Sequence, residues 1–329
     1  MRIKTVNSLS FDDVWLEPQY SEITSRAHPI LISKLTEGVV LKHPVIASNM
    51  ASVVGPEMMD VLGNSGSIAF CHRFLNQKQL VELAKNKSNL EHFPFSIGIK
   101  DGDYDSASRL FDILGPFKPI VLVDIAHAHT KIMGEFLERI VKIGFENVIA
   151  GNVATPDGYL YLVEHGAKAV RVGVAGGKVC TTKHVTGHHV PTLQSVIDIA
   201  KIKSSVPIIA DGGIRTSGDA AKALAAGADF VCVGSILAGT NEAPGETKKI
   251  NGQMMKAYYG MSSQMAIDKF FNGKKCHVAP EGKTEYITCT GPASDVLDQF
   301  IAGIKSAMTY SGSMTIKEFQ KKAVFLTIK

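Results

Sequence analysis

Short runs of β-branched and other apolar residues recur along the chain, each closed by glycine, aspartate, asparagine or serine and followed by a stretch of helical spacing. Eight runs read as strands. They are "VIASNM" (45–50), "SIAF" (67–70), "FSIGI" (95–99), "IVLVDI" (120–125), "NVIAG" (147–151), "AVRVGV" (169–174), "PIIADGG" (207–213) and "FVCVGS" (230–235). Between them "PEMMDVLGNSG" opens with proline in its first turn, and "TPDGYLYLVEHG" and "SGDAAKALAAG" end at glycine, as helices do. Strands alternating with helices of roughly 10–15 residues are the pattern of βα units around a parallel sheet. Eight units predict a (β/α)8 barrel of the TIM type, an α/β fold, with residues 1–329 as one catalytic domain. A doubly wound sheet would show fewer units and a glycine fingerprint after its first strand, which is missing here.

A barrel gathers its chemistry in the loops after strand C-termini. Polar residues and glycines cluster there: Asn49-Met50, Asp124 with His127, Gly151-Asn152, the loop "GVAGGKVCTTKHVTG", Asp211-Gly212-Gly213 and Gly234-Ser235. Glycines after strands seven and eight that lead into helix starts suit an anion held by backbone N–H groups. The Asp211 carboxylate beside them is placed to accept hydrogen bonds from a ribose diol. Cys180, on the glycine-rich loop, reads either as a small buried hydrophobe or as a nucleophile held out for use. After strand eight, residues of about 237–290 depart from the barrel before a helix resumes at "SDVLDQFIAGIKSAM". Such an excursion reads as a flap, with Asn251-Gly252 as its hairpin turn. The final "SMTIKEFQKKAVFLTIK" reads as a helix and a strand-like tail.

Composition narrows the classes. The chain is 45% hydrophobic and 20% charged, with 35 basic residues against 31 acidic, which suits a globular enzyme and supplies no footprint for nucleic acid or a membrane surface. No apolar run reaches the roughly 18–20 residues of a membrane span. The five cysteines, Cys71, Cys180, Cys232, Cys276 and Cys289, form no CxxC pair, and with no signal-like segment they point to a reducing cytoplasm. Cys232 reads as structural. His184, His188 and His189 invite a metal, but they lie on a loop with no helix to align them.

The chain resembles the inosine monophosphate dehydrogenase/guanosine monophosphate reductase family, most nearly its reductase branch. The resemblance rests on "LSFDDVWLEP", "ASNM", "DIAHAH", "AGNVAT", "GGKVCTT", "IIADGGIRTSGD", "VGSILAG", "YYGMSS", "EGKT" and "SAMTYSG", in the family's order over nearly the whole chain. Strands two and three are one helix apart, leaving no room for the regulatory nucleotide-sensing module of the dehydrogenases. Lys269 and Phe270 stand where an Arg-Tyr pair would activate water in a dehydrogenase.

The resemblance implies NADPH-dependent reductive deamination of guanosine monophosphate (GMP) to inosine monophosphate (IMP) and ammonia. Cys180 would be the nucleophile that forms a thioimidate at purine C2, and Thr182 with Glu281 would manage the ammonia. Nucleotide binding would fall to Asp211, Gly212, Gly213, Gly234, Ser235, Tyr259, Gly260, Met261, Ser262, Gly282 and Lys283. NADPH would meet Asp124, Ile125, Ala126 and Asn152, with Ser306 and Tyr310 from a neighbouring subunit of a homotetramer. Potassium would sit on backbone carbonyls of Ala175, Gly177 and Cys180. The loops "GVAGG" and "TGHHVPT", Ala51 and "FCHRF" depart from the family pattern. A minimal IMP dehydrogenase, a reductase of a related purine nucleotide, and a silent nucleotide-binding barrel are the alternatives.

Overall fold

A computed structural model describes residues 8–86, 92–115, 119–271 and 279–328. The eight expected strands form one parallel sheet: β1 (Val45–Ala47), β2 (Ile68–Ala69), β3 (Pro94–Ile97), β4 (Ile120–Asp124), β5 (Asn147–Val153), β6 (Ala169–Val172), β7 (Ile208–Asp211) and β8 (Phe230–Val233). Each pairs with its neighbour in sequence except β2 and β3, which are the two edges, and β8 returns to β1 with Cys232 opposite Ile46. A bridge between Cys71 and Phe95 joins the β2 and β3 sides, so the sheet closes into a barrel.

Helices follow the strands on the outside. Pro56–Ser65 starts on its proline and stops at Gly66, whose φ of 77° is a glycine conformation. Ser217–Ala225 starts with a reciprocal cap between Thr216 and Asp219. Alternation along the strands sorts the apolar residues into two cores. Ile46, Ile68, Ile120, Leu122, Ile149, Ile209 and Phe230 pack inside the barrel, where Leu35, Val39 and Leu41 of a hairpin plug its lower end. Val121, Val123, Val148, Ala150, Val170, Val172 and Val231 face the helices.

The flap is a small antiparallel sheet of β9 (Lys248–Ile250), β10 (Gln253–Tyr259) and β11 (Thr284–Thr288), with the helix Gln264–Phe271. Asn251 and Gly252 make its first turn, both at positive φ. Lys256 is buried beneath it and donates to the carbonyls of Thr240, Asn241 and Ala243 at 2.9, 2.9 and 2.6 Å, tying the flap to the exit of β8. The tail forms β12 (Val324–Thr327), antiparallel to Val14–Glu17. No helix among the described residues is long and apolar enough to cross a membrane.

Candidate active site

The strand phase that fills the barrel with isoleucine and leucine also places charge at its upper end. Two residues beyond Leu122 stands Asp124, two beyond Ala169 stands Arg171, and two beyond Ile209 stands Asp211. All three enter one polar layer. Arg171 is 7% exposed and donates from Nη1 to Asn49 Oδ1 at 2.6 Å and from Nε to Asn152 Oδ1 at 2.5 Å. Its Nη2 donates to Asp124 Oδ1, and its Nε lies 3.4 Å from Asp211 Oδ2. Asn49 Nδ2 donates to Asp124 Oδ2 at 3.0 Å, and Asn152 Nδ2 donates to Asp211 Oδ2 at 2.7 Å. Burial disfavours the charge on Arg171, but Asp124 and Asp211 outweigh it and hold its pKa above the ordinary value.

Above this floor lies the cysteine loop. It turns back at Gly173, with φ of 139°, where an added Cβ would come within 1.9 Å of the Asp211 carbonyl oxygen. No other residue fits there. Further along, the loop pairs with the flap: Thr181 N–H donates to Glu281 O at 2.9 Å, and Lys283 N–H donates to Val179 O at 2.9 Å. That pairing brings side chains together across the gap. Half-buried Cys180 lies with Sγ 3.2 Å from Thr182 Oγ1, and Thr182 Oγ1 lies 2.7 Å from Glu281 Oε2. A thiol, a hydroxyl and a carboxylate in series form a path for a proton. Glu285 braces the same seam with Lys283 at 2.6 Å and Lys178 at 3.2 Å, and these partners hold its carboxyl below the usual range.

Floor and rim enclose a cleft of about 660 Å³, within the range of small-molecule sites. Gly212, Gly213, Gly234 and Ser235 line one end, and Gly260, Met261, Ser262 and Lys283 come from the flap side. Asp124, Ile125, Ala126, Asn152, Ala175 and Gly177 line it as well. Four expected residues do not. Tyr259 points away, because neighbours in a strand face opposite sides: it packs with Ala51 and Ala266, while Tyr258 enters the cleft with its hydroxyl over Gly234. Gly282 is spent on the seam, bridging to Cys180 and Ser263. Ser306 and Tyr310 lie on the outer helix Ala293–Tyr310, apart from the cleft.

Arg171 and Tyr258 carried no expectation, although an arginine inside "AVRVGV" was the visible sign of a polar layer. Ser10, Phe11 and Asp12 also line the cleft, beside Arg215, which pairs with Asp12 at 2.5 Å. Cys71 and Cys232 are buried, and burial pushes the Cys71 thiol up to about 12 while burial with Asp211 raises that of Cys232 well above normal, which disfavours the thiolate at both. Cys289 is half-buried away from the cleft, and Cys276 lies outside the described residues. The loop after Cys180 makes one helical turn, Thr182–Val185, where a loop without helix was expected. His184 and His189 reach the rim, His189 Nδ1 lies 3.0 Å from Val174 O, and no metal-ligating group of three occurs among the described residues. His72 closes the flap from the other side, its ring 5.2 Å from that of Phe270, while Phe74 meets Phe270 and Phe271 at 5.0 and 5.1 Å.

The model of the family described as IMP dehydrogenase / GMP reductase domain matches residues 8–329. The chain belongs to that family. Among IMP dehydrogenase / GMP reductase relatives it is 32% identical to a GMP reductase of Vibrio atlanticus and 33% identical to one of Yersinia pestis, each match covering 100% of this chain and 97% of the relative. The fold is also that of a solved GMP reductase variant from Trypanosoma brucei in complex with guanosine 5′-monophosphate. That likeness has a TM-score of 0.87 at 23% identity and covers 98% of this chain and 96% of the other. The family is one of oxidoreductases, and Cys180, Thr182 and Glu281 all line the cleft.

Proposed function

We propose that the protein converts GMP to IMP and ammonia with NADPH as hydride donor, through a transient bond between Cys180 and purine C2. The observation that carries the reading is the series Cys180 Sγ, Thr182 Oγ1 and Glu281 Oε2, spaced 3.2 and 2.7 Å apart. The C2 amino group is a poor leaving group, so displacement needs both a strong nucleophile and a proton for the departing nitrogen. Cys180 donates its thiol hydrogen towards Thr182, whose hydroxyl in turn donates to Glu281. The thiol proton thus passes to Glu281, and the sulfur bonds to C2 as the C2–N3 π pair moves onto N3, from which it returns when the amine leaves. Glu281 returns the proton through Thr182 to the amine, the C2–N bond breaks and ammonia leaves. NADPH, when bound, supplies hydride to C2, and Cys180 departs as the thiolate.

The rest of the cleft supports this assignment by its chemistry. Asp211 accepts from the ribose, while Gly213, Gly234 and Ser235 take the phosphate, with Gly212 shaping the turn. Met261, Ser262, Gly260 and Lys283 border the base, and Tyr259 and Gly282 hold the flap from behind. Asp124, Ile125, Ala126 and Asn152 leave their strands beside the Cys180 loop and fit a nicotinamide end in the same cleft. Ser306 and Tyr310 serve only from a neighbouring subunit, which the proposed homotetramer supplies. Neutral carbonyls of Ala175, Gly177 and Cys180 suit potassium, which would brace the loop. Ala175 has a positive φ of 62°, which bends the backbone there. The proposed compartment is the cytosol.

Following NADPH absorbance with GMP tests the reading: the unaltered protein consumes NADPH, and Cys180→Ala binds GMP without turnover. Reduction of NAD by IMP would instead make it a dehydrogenase. Nucleotide binding with neither reaction would leave a silent barrel.

A further inference from the structure

The polar layer beneath the cleft has a near-symmetrical wiring that neither the proton path nor ligand contact requires. One guanidinium donates to the oxygen of two asparagines, Asn49 at 2.6 Å and Asn152 at 2.5 Å. An amide whose oxygen is engaged must turn its NH2 the other way. Asn49 therefore presents its NH2 to Asp124 at 3.0 Å, and Asn152 presents its own to Asp211 at 2.7 Å. Arg171 also meets both carboxylates directly. Asn49 is anchored further by Ser96 Oγ at 3.1 Å, and Asn152 by Gly173 O at 2.7 Å. Two carboxylates thus share one buried cation, and each is oriented twice over by it.

From this wiring we propose that Arg171 is a positioning residue that couples the two halves of the cleft, so that a ligand held by Asp211 and a ligand held beside Asp124 strengthen each other's binding. The inference rests on the proposed function, in which the Asp211 side takes the nucleotide and the Asp124 side takes the dinucleotide. A hydroxyl that hydrogen-bonds to Asp211 draws on that carboxylate and fixes Asn152. Arg171 then has one arrangement left to it, which is the one that fixes Asn49 and Asp124. Ordering that the first ligand has already brought about does not have to be repeated by the second. A lysine cannot do this. Its single ammonium nitrogen carries the charge but lacks the planar fork that reaches two amides and two carboxylates together.

The test is made in the full-length Cys180→Ala protein, which binds GMP without forming the adduct. It is titrated with GMP alone and with saturating NADP⁺, which carries no hydride, and both titrations are repeated with Arg171→Lys added. The protein that keeps Arg171 is the unaltered one of this comparison. Coupling commonly amounts to roughly 5–150-fold in affinity. The unaltered protein is expected to bind GMP at least about fivefold more tightly when NADP⁺ is present. In Arg171→Lys the two affinities should agree within about twofold, with the circular dichroism of the folded chain retained. A purely structural arginine would change stability and leave the ratio intact, and coupling that survives in Arg171→Lys would overturn the inference, as would its absence from the unaltered protein. If Arg171→Lys does not fold, Asn49→Ala decides: the ratio should fall although Asp211 and Asn152 are untouched, and an unchanged ratio would overturn the inference. Failure of the unaltered protein to bind GMP at all is a different result, which refutes the proposed function and the inference with it.

Discussion

At the floor of the cleft, Arg171, Asp124 and Asp211 project from three barrel strands, whereas at its rim Thr182 and Glu281 lie 99 positions apart and meet only because the flap pairs with the cysteine loop. The floor is centred on buried Arg171, and the strand ends that meet there decide its partners. The rim is half-buried and depends on a few backbone hydrogen bonds and on ion pairs that water reaches. Substitution at the floor should therefore disturb folding together with binding, while substitution at the rim should slow chemistry in a chain that remains folded.

The largest effect sharpens the rim. Glu281→Gln and Thr182→Val each interrupt the proton path and should lower kcat by about 10²–10⁴-fold with little change in the KM for GMP. Steady-state rates check this, and a loss confined to KM would break the contrast. Next comes the floor. Arg171→Met strands two carboxylates without their cation and should cost about 3–5 kcal/mol in denaturant unfolding. A loss under about 1 kcal/mol would show that the layer is not the buried network described.

The aromatic contact of His72 with the flap helix offers a pH dependence. Burial, with Lys269 nearby, lowers His72 to about 4 from an ordinary value of 6.5. Between those values the unfolded chain binds the proton and the folded chain does not, so stability rises with pH across that window. The contribution is complete above pH 6.5 and is lost as the pH falls towards 4, by at most about 3 kcal/mol. Unfolding measured at pH 7 and pH 5 should show the loss, and His72→Phe should reduce it. The smallest effect is at the surface of the seam. Lys178 is about half exposed, so Lys178→Ala should change stability by less than about 1 kcal/mol, an effect that added salt erases.

Legibility in the sequence followed the same division. All eight strands could be read because β-branched runs, glycine stops and helix caps are local signals, and the barrel followed from their number. Cys180, Thr182 and Glu281 could be connected only through family resemblance, since no local pattern says that "EGKT" returns to the cysteine loop. Arg171 is a single charge in an apolar strand, and such a charge does not reveal its partners until the barrel closes and three strands bring theirs together. Tyr258 and Tyr259 are adjacent and both buried, and only their place in β10 against β11 decides which of them lines the cleft. The clasp of His72 with Phe270 joins two segments remote in sequence, and neither carries a mark of the other.

The most direct test of the account is the covalent step itself. The protein is incubated with GMP and no hydride donor, released ammonia is assayed, and the denatured chain is analysed by peptide mass spectrometry. The account predicts ammonia release and a purine nucleotide lacking its amino group attached at Cys180. NADPH oxidation by GMP that continues at full rate in Cys180→Ala, with no adduct on the unaltered chain, would contradict it.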